Sequence, residues 1–376
     1  MSSGKTVMRS LALLALLFFA AAGHAEIRVG IAGPLSGSTL TIGEQQEMGA
    51  LLAIDHLNEE GGLLGQEVVA VSVDDACDAY QAEAVARQLI SEDVDIVIGH
   101  LCSGCSLAVS KLYEEAGIIM MSPASTNPRV TDEGGANIFR VIGRDDHQGT
   151  IAGNFLADYY PDRNIAIIHD SEPYGIGLAG YAKKQLNRRG ISEKAYAGYQ
   201  RDQADYGPLV NKLVDNQINI VYAGGYLADI GIILRQAKKL LPDLRLVSGD
   251  SLAHAEFLVI AGNGGIGTYF TFGQDMRKNP AAAGVVSAFR KNYDYEPEGY
   301  TLYSYGAVQA WAQAVKKAGS VDTKPVIDIL KTQTFDTVLG QIGFDEKGDV
   351  TGMSPFVWYV FGDKNYRPVE AADLPN

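Results

Sequence analysis

The reading of the chain turns on residues 94–126, VDIVIGHLCSGCSLAVSKLYEEAGIIMMSPAST. Residues 94–98 are a short run rich in β-branched side chains, the pattern of a strand buried on both faces. The run breaks at Gly99-His100-Leu101-Cys102-Ser103-Gly104-Cys105. Leu107, Val109, Leu112 and Tyr113 then recur at helical spacing, and a second strand, 118–121, ends in Ser122-Pro123-Ala124-Ser125-Thr126. Two neighbouring strand ends thus each deliver a small hydroxyl residue into a turn, and Ser103 also opens a helix. Free N–H groups at such turns, with the positive end of a helix dipole, bind anions. The stretch predicts a carboxylate held by Ser103 and Thr126. Both residue types also serve as plain turn and N-cap residues, and the stretch alone leaves that alternative open.

The same grammar extends in both directions. A strand at 27–32, a turn at 33–37 and a helix at 43–60 stopped by Gly61-Gly62 come first. A strand at 67–73 and a helix at 79–91 lead into the opening stretch. Such a series gives a parallel sheet with helices on both faces, and ligands bind beyond the carboxyl ends of its strands. After a strand at 138–142 the pattern restarts past Gly143-Arg144-Asp145-Asp146. Tyr174, Tyr226 and Asp250 then fall at strand ends equivalent to those of the first half. A strand at 266–272 leads to a second crossing near Gly273; a third, near Gly352, precedes 356–361 as the final strand. The expected fold is α/β, with two Rossmann-like lobes, parallel central sheets and a three-segment hinge. Residues 26–144 with 274–353 would form the N-terminal lobe, and 145–273 with 354–376 the C-terminal lobe. Tyr293, Tyr295, Tyr300, Tyr303 and Tyr305 are assigned to core packing.

Residues 1–25 read as a targeting signal: Lys5 and Arg9, an apolar run of twelve at 11–22, then Gly23-His24-Ala25. The run is too short to span a bilayer in the usual way. No later stretch is long and apolar enough for a membrane helix. The chain carries 31 Lys+Arg against 45 Asp+Glu, a net −14. Loss of the leader takes this to about −16, because it removes Lys5 and Arg9 and no acid. Such a protein is a poor partner for nucleic acid or anionic lipid.

The cysteines are Cys77, Cys102 and Cys105. In an oxidising compartment two pair and one is left over. Cys77 and Cys102 follow successive strands, and adjacent parallel strands would bring these two ends together, which makes Cys77–Cys102 the natural bridge. The rival is Cys102–Cys105, a Cys-x-x-Cys at a helix start and so a candidate redox pair. His100 beside two cysteines lacks the second ligand cluster a zinc site needs. Of two Gly-x-Gly-x-x-Gly matches, Gly262-Gly264-Gly267 precedes a strand and is in the wrong context. Gly175-Gly177-Gly180 opens a helix but stands too far from the strand for a dinucleotide turn. No Gly-x-Ser-x-Gly or His-Glu-x-x-His motif supports hydrolysis. His100 and His169 read as satisfied core histidines, and Asp74, Asp75 and Asp78 as turn-capping acids.

Several segments together resemble one known family. They are Asp74-Asp75-Ala76-Cys77-Asp78, Gly99-His100-Leu101-Cys102-Ser103, Ser122-Pro123-Ala124-Ser125-Thr126, His169-Asp170 with Tyr174-Gly175, Gly224-Gly225-Tyr226, Ile233-Leu234-Arg235-Gln236-Ala237 and Asp345-Glu346-Lys347-Gly348-Asp349. Over 26–362 the chain resembles the branched-chain (Leu/Ile/Val) amino-acid binding proteins of ABC importers, which are type I periplasmic binding proteins. The resemblance implies that Ser103 and Thr126 hold a ligand carboxylate and that the Ala124 carbonyl accepts from its ammonium. Tyr174 and Tyr226 would close over the ligand, with Leu101 and Cys102 lining the side-chain pocket. Asp250 falls where the family usually has a glutamate that pairs with the ammonium, and Ile42 where it commonly has a pocket tyrosine. The family disulfide falls on Cys77 and Cys102. The implied protein is a periplasmic, monomeric binder and not an enzyme. It would have no cofactor or metal, would not insert into the membrane, and would hand an aliphatic amino acid to an ABC permease. The alternatives are a binder or sensor for an amide or other small polar ligand on the same fold, or an exported thiol-redox or hydrolytic enzyme.

Overall fold

The computed structural model describes residues 26–353 and 356–375. The expected leader, residues 1–25, lies outside the described residues. The first sheet is built from β1 (Ile27–Gly33), β2 (Val68–Asp74), β3 (Ile96–Gly99), β4 (Ile119–Ser122) and β5 (Ile138–Arg140). Between them run α1 (Leu40–Glu59), α2 (Ala79–Ser91), α3 (Ser103–Ala116) and the short α4 (Arg129–Asp132). All pairings in this sheet are parallel, in the order β2-β1-β3-β4-β5. Strands β3 and β4 are buried along their whole length, as β-branched runs covered on both faces must be. Helix starts and stops follow local chemistry. The Asp78 carboxylate accepts the Gln81 N–H to cap α2, and Gly117 takes the left-handed conformation that ends α3.

One expectation about this sheet fails. β2 and β3 are not neighbours, because β1 lies between them and pairs with both. The Cys77–Cys102 disulfide forms nonetheless, with Cα atoms 5.6 Å apart. The loop after β2 folds back across the end of β1. Ala76 and Cys77 both take positive φ, and the Asp74 and Asp75 carboxylates hold that turn by accepting the N–H groups of Ala76 and Cys77. The rival Cys102–Cys105 bridge is excluded; Cys105 is a free, buried thiol.

The chain then enters the second sheet through α5 (Asp145–Tyr159), β6 (Ile165–His169), α6 (Pro173–Arg188) and β7 (Ala195–Gly198). It continues with α7 (Gly207–Asp215), β8 (Ile220–Gly224), α8 (Leu227–Ala237), β9 (Arg245–Ser248), α9 (Glu256–Ala261) and β10 (Tyr269–Phe272). It returns as α10 (Ala283–Tyr293), α11 (Thr301–Ala318) and α12 (Thr323–Leu330), with α11 packed on α1 and touching β3 and β4. A small antiparallel sheet follows, from β11 (Phe335–Thr337), β12 (Gly340–Phe344) and β13 (Val350–Thr351). The chain ends in the second sheet with β14 (Val357–Phe361) and β15 (Tyr366–Pro368).

The second sheet has the order β15-β14-β10-β9-β8-β6-β7. Its core is parallel, but β14 runs antiparallel to β10 and β15 antiparallel to β14. The strand expected to be last, 356–361, is therefore followed by one more. The chain passes between the two sheets three times, as anticipated. At one passage the Tyr359 hydroxyl donates to the Gly273 carbonyl at 2.8 Å.

Candidate functional site

The first sheet presents two turns at its carboxyl edge, and His100 knits them together. Its carbonyl accepts the hydroxyls of Ser106 (3.2 Å), Ser122 (2.7 Å) and Ser125 (3.0 Å). Its ring lies 2.6 Å from Asp75 Oδ2 through Nδ1 and 3.1 Å from the Tyr113 hydroxyl through Nε2. Both ring nitrogens are thus engaged and Cys102 is oxidised, which leaves no zinc-ligating set here. Ser103 begins α3, so the N–H groups of that first turn have no acceptor within the helix. The Asn127 N–H donates to Ser103 Oγ at 3.3 Å, which fixes the second turn against the first. Beside it Thr126 is fully buried, with no hydrogen-bond partner for its hydroxyl.

A residue that sequence reasoning did not single out supports this turn. Arg140, the last residue of β5, is fully buried and donates to the carbonyls of Ser125 (3.0 Å) and Asn127 (2.8 Å). Asp349 accepts from its Nε and also from Arg144. Burial would raise the Asp349 carboxyl, but the two guanidiniums and the Thr131 hydroxyl hold it below its ordinary value.

The second sheet presents Asp250 directly after β9, Tyr174 in the first turn of α6 and Tyr226 at the N-cap of α8. Asp250 Oδ1 accepts from the Tyr174 hydroxyl at 2.8 Å and from Gln148 Nε2 at 2.9 Å. Its Oδ2 accepts from the Tyr300 hydroxyl at 2.8 Å. Burial pushes the Asp250 carboxyl up, and these donors push it back. Gln148 is itself pinned: its Oε1 accepts the Thr271 hydroxyl (2.6 Å) and the Asp250 N–H (3.0 Å). The same Nε2 donates to Asp145 Oδ1 at 3.0 Å, and the Asp145 N–H donates to the Thr126 carbonyl at 2.9 Å. Asp145 is completely buried with one oxygen unpartnered; burial first, then the Asp250 charge, pushes its carboxyl well up.

A continuous chain therefore runs Thr126–Asp145–Gln148–Asp250, joining the turn that carries Thr126 to the acid. The Tyr174 and Tyr226 rings lie against each other beyond it, tilted by 38° with centroids 5.2 Å apart. All nine anticipated side chains, Ile42, Leu101, Cys102, Ser103, Ala124, Thr126, Tyr174, Tyr226 and Asp250, are at most 5 % exposed. The two edges also touch directly. Asn127 Nδ2 donates to the Pro173 carbonyl at 2.7 Å, Ser38 bonds Asp202, and Thr41 bonds Glu256.

One sequence reading changes here. Tyr300 packs edge-on against Phe272, but it is more than core, because its hydroxyl serves Asp250. In the Gly175-Gly177-Gly180 match, already set aside as a dinucleotide turn, the first two glycines allow close packing. A Cβ on Gly175 would meet Asp170 Oδ1 at 2.2 Å, and one on Gly177 would meet Asn127 Nδ2 at 2.8 Å.

Residues 26–361 match the family model described as periplasmic binding protein. The chain belongs to this family. A Brucella suis relative of this family, Leu/Ile/Val-binding protein homolog 1, is 40 % identical over 369 residues, covering 97 % of this chain and 99 % of its own. The leucine-, isoleucine-, valine-, threonine- and alanine-binding protein of Pseudomonas aeruginosa is 37 % identical, covering 91 % and 92 %. Among solved periplasmic binding proteins, the leucine-binding protein LivK of Thermotoga maritima superposes with a TM-score of 0.84. It is 25 % identical and covers 92 % of this chain and 98 % of its own.

Proposed function

We propose that the protein captures an aliphatic α-amino acid, with Leu, Ile or Val first, between two lobes and delivers it to the permease of an ABC importer. In this reading it acts in the periplasm as a monomer and catalyses nothing. The lobes are residues 26–144 with 274–353 and residues 145–273 with 354–376. Ser103, Thr126 and the open first turn of α3 take the ligand carboxylate. Asp250 and the Ala124 carbonyl take the ammonium. Tyr174 and Tyr226 cover the ligand, and Ile42, Leu101 and Cys102 line its side chain.

The observation that carries this reading is the buried Asp250 carboxylate, linked through Gln148 and Asp145 to the backbone carbonyl of Thr126, the residue whose own hydroxyl has no partner. A dry site with an acid at one end and N–H and hydroxyl donors at the other suits a zwitterion. Burying both ligand charges is tolerable only where each meets its opposite.

A thermal-shift screen with the twenty amino acids tests it. A ligand at a hundred times its Kd stabilises by about 2.7 kcal/mol, a readily measured rise in midpoint. Leu, Ile or Val is expected to give the largest shift, and no shift with any aliphatic amino acid would overturn the proposal.

A further inference from the structure

Arg201 has no part in the ligand set above, yet it stands where the two sheet edges meet. It follows β7, and its side chain is only 12 % exposed. The guanidinium carbon lies 4.7 Å from the centroid of the Tyr226 ring. Its Nε faces Asp229 Oδ2 at 3.8 Å. Asp229 is in turn fixed, because its other oxygen accepts the Asp202 N–H at 3.0 Å and the Tyr206 hydroxyl. All these partners belong to the second sheet and its helices. The remaining contact does not: Nη1 donates to the Cys77 carbonyl of the first sheet at 3.3 Å, beside the disulfide sulfur. That disulfide leads to Cys102, the N-cap of α3, one residue before Ser103. The next residue, Asp202, accepts from Ser38 and so crosses the same gap.

We propose that Arg201 is a closure latch, a positioning residue that holds the two edges together over the ligand and keeps Tyr226 in place. The idea rests on the amino-acid-binding reading of the cleft. When the edges part, Tyr226 and Asp229 travel with Arg201, and only the Cys77 carbonyl is left behind. The bond to Cys77 therefore exists in the closed form alone and adds to its population without adding to the encounter with ligand. Contacts of that kind lengthen residence and leave association unchanged.

Stopped-flow fluorescence with L-leucine, L-isoleucine and L-valine tests this on the full mature chain. Arg201→Ala is expected to speed release about tenfold, the factor carried by ~1.4 kcal/mol. Association should stay within about twofold; the ligand-free melting midpoint is expected to fall, because buried Asp229 loses its cation in the open form as well. A merely structural arginine would lower the midpoint in the same way but leave release unchanged, and unchanged release would overturn the latch. Arg201→Lys keeps the charge but cannot face Asp229 and Cys77 at once. It is expected to release at an intermediate rate, and it replaces the alanine variant should that not fold; wild-type release from it would equally overturn the latch. If the wild type binds none of the three amino acids, the functional reading falls and takes the latch with it. If it binds and Arg201→Ala releases at the wild-type rate, only the latch falls.

Discussion

In the proposed reading, ligand recognition hinges on Asp250. Its carboxylate is 1 % exposed and accepts from Tyr174, Tyr300 and Gln148, so it is held at a fixed point with its charge incompletely answered. Removing one partner of a buried ion pair costs about 3–5 kcal/mol. Asp250→Ala is therefore expected to weaken amino-acid binding by at least a hundredfold in isothermal titration; unchanged affinity would dismiss the ammonium pairing. Thr126→Val tests the other end. It removes a hydroxyl that has no partner in the protein while keeping its shape. The ligand-free melting midpoint should hold or rise slightly. Affinity should fall roughly 10- to 100-fold, since a hydrogen bond to a charged group contributes about 1.5–3 kcal/mol. Ser103, Thr126 and Asp250 were legible in the sequence because each closes a strand and stands in a turn. Gln148 and Tyr300 were not. They reach Asp250 across 102 and 50 residues of chain, from within helices or at their starts, where apolar spacing marks them as packing.

Among the elements, the most instructive is β1. Sequence order places β2 and β3 in succession, and nothing local says that the first strand inserts between them. That is decided by which hydrophobic faces the whole sheet must cover. The resulting Cys77–Cys102 bridge closes a separation of 25 residues. Replacing both cysteines by serine is expected to lower stability by about 3 kcal/mol, read from chemical denaturation. The other element-scale device is the clamp of Arg140 at the end of β5 on the turn that carries Thr126. Its partner Asp349 has a carboxyl held below the ordinary 3.8, so its contribution is present above that value and is lost as pH falls through the folded-state value. Asp349→Asn should melt below the wild type at pH 7, and the two curves should converge as the pH drops below about 3.8. A gap that persists at pH 2.5 would mean that shape, not charge, makes the difference. An arginine in a strand of only three residues gives no sequence signal of burial, which explains why Arg140 was overlooked.

At the scale of the molecule, three chain passages join two sheets whose carboxyl edges face each other. Two rigid cores linked in this way move by bending a few residues at the passages, and neither core has to repack. The buried chain from Thr126 to Asp250 joins the two edges, and in the proposed reading closure assembles one site out of them. Tyr300 makes the dependence explicit, because it lies in the segment that returns toward the first sheet yet donates to an acid beyond the second. In that reading ligand contacts to the second edge are made only when the cleft is shut, so binding shifts the population toward the closed form by the ligand's difference in affinity for the two. Small-angle scattering can follow this directly. Adding the amino acid found by the thermal screen should reduce the radius of gyration of the wild type. Asp250→Ala, given the same concentration, should stay at its ligand-free value, because the second edge then has nothing to offer the ammonium. Contraction of the alanine variant to the wild-type value at equal occupancy would mean that closure is driven by the carboxylate end alone.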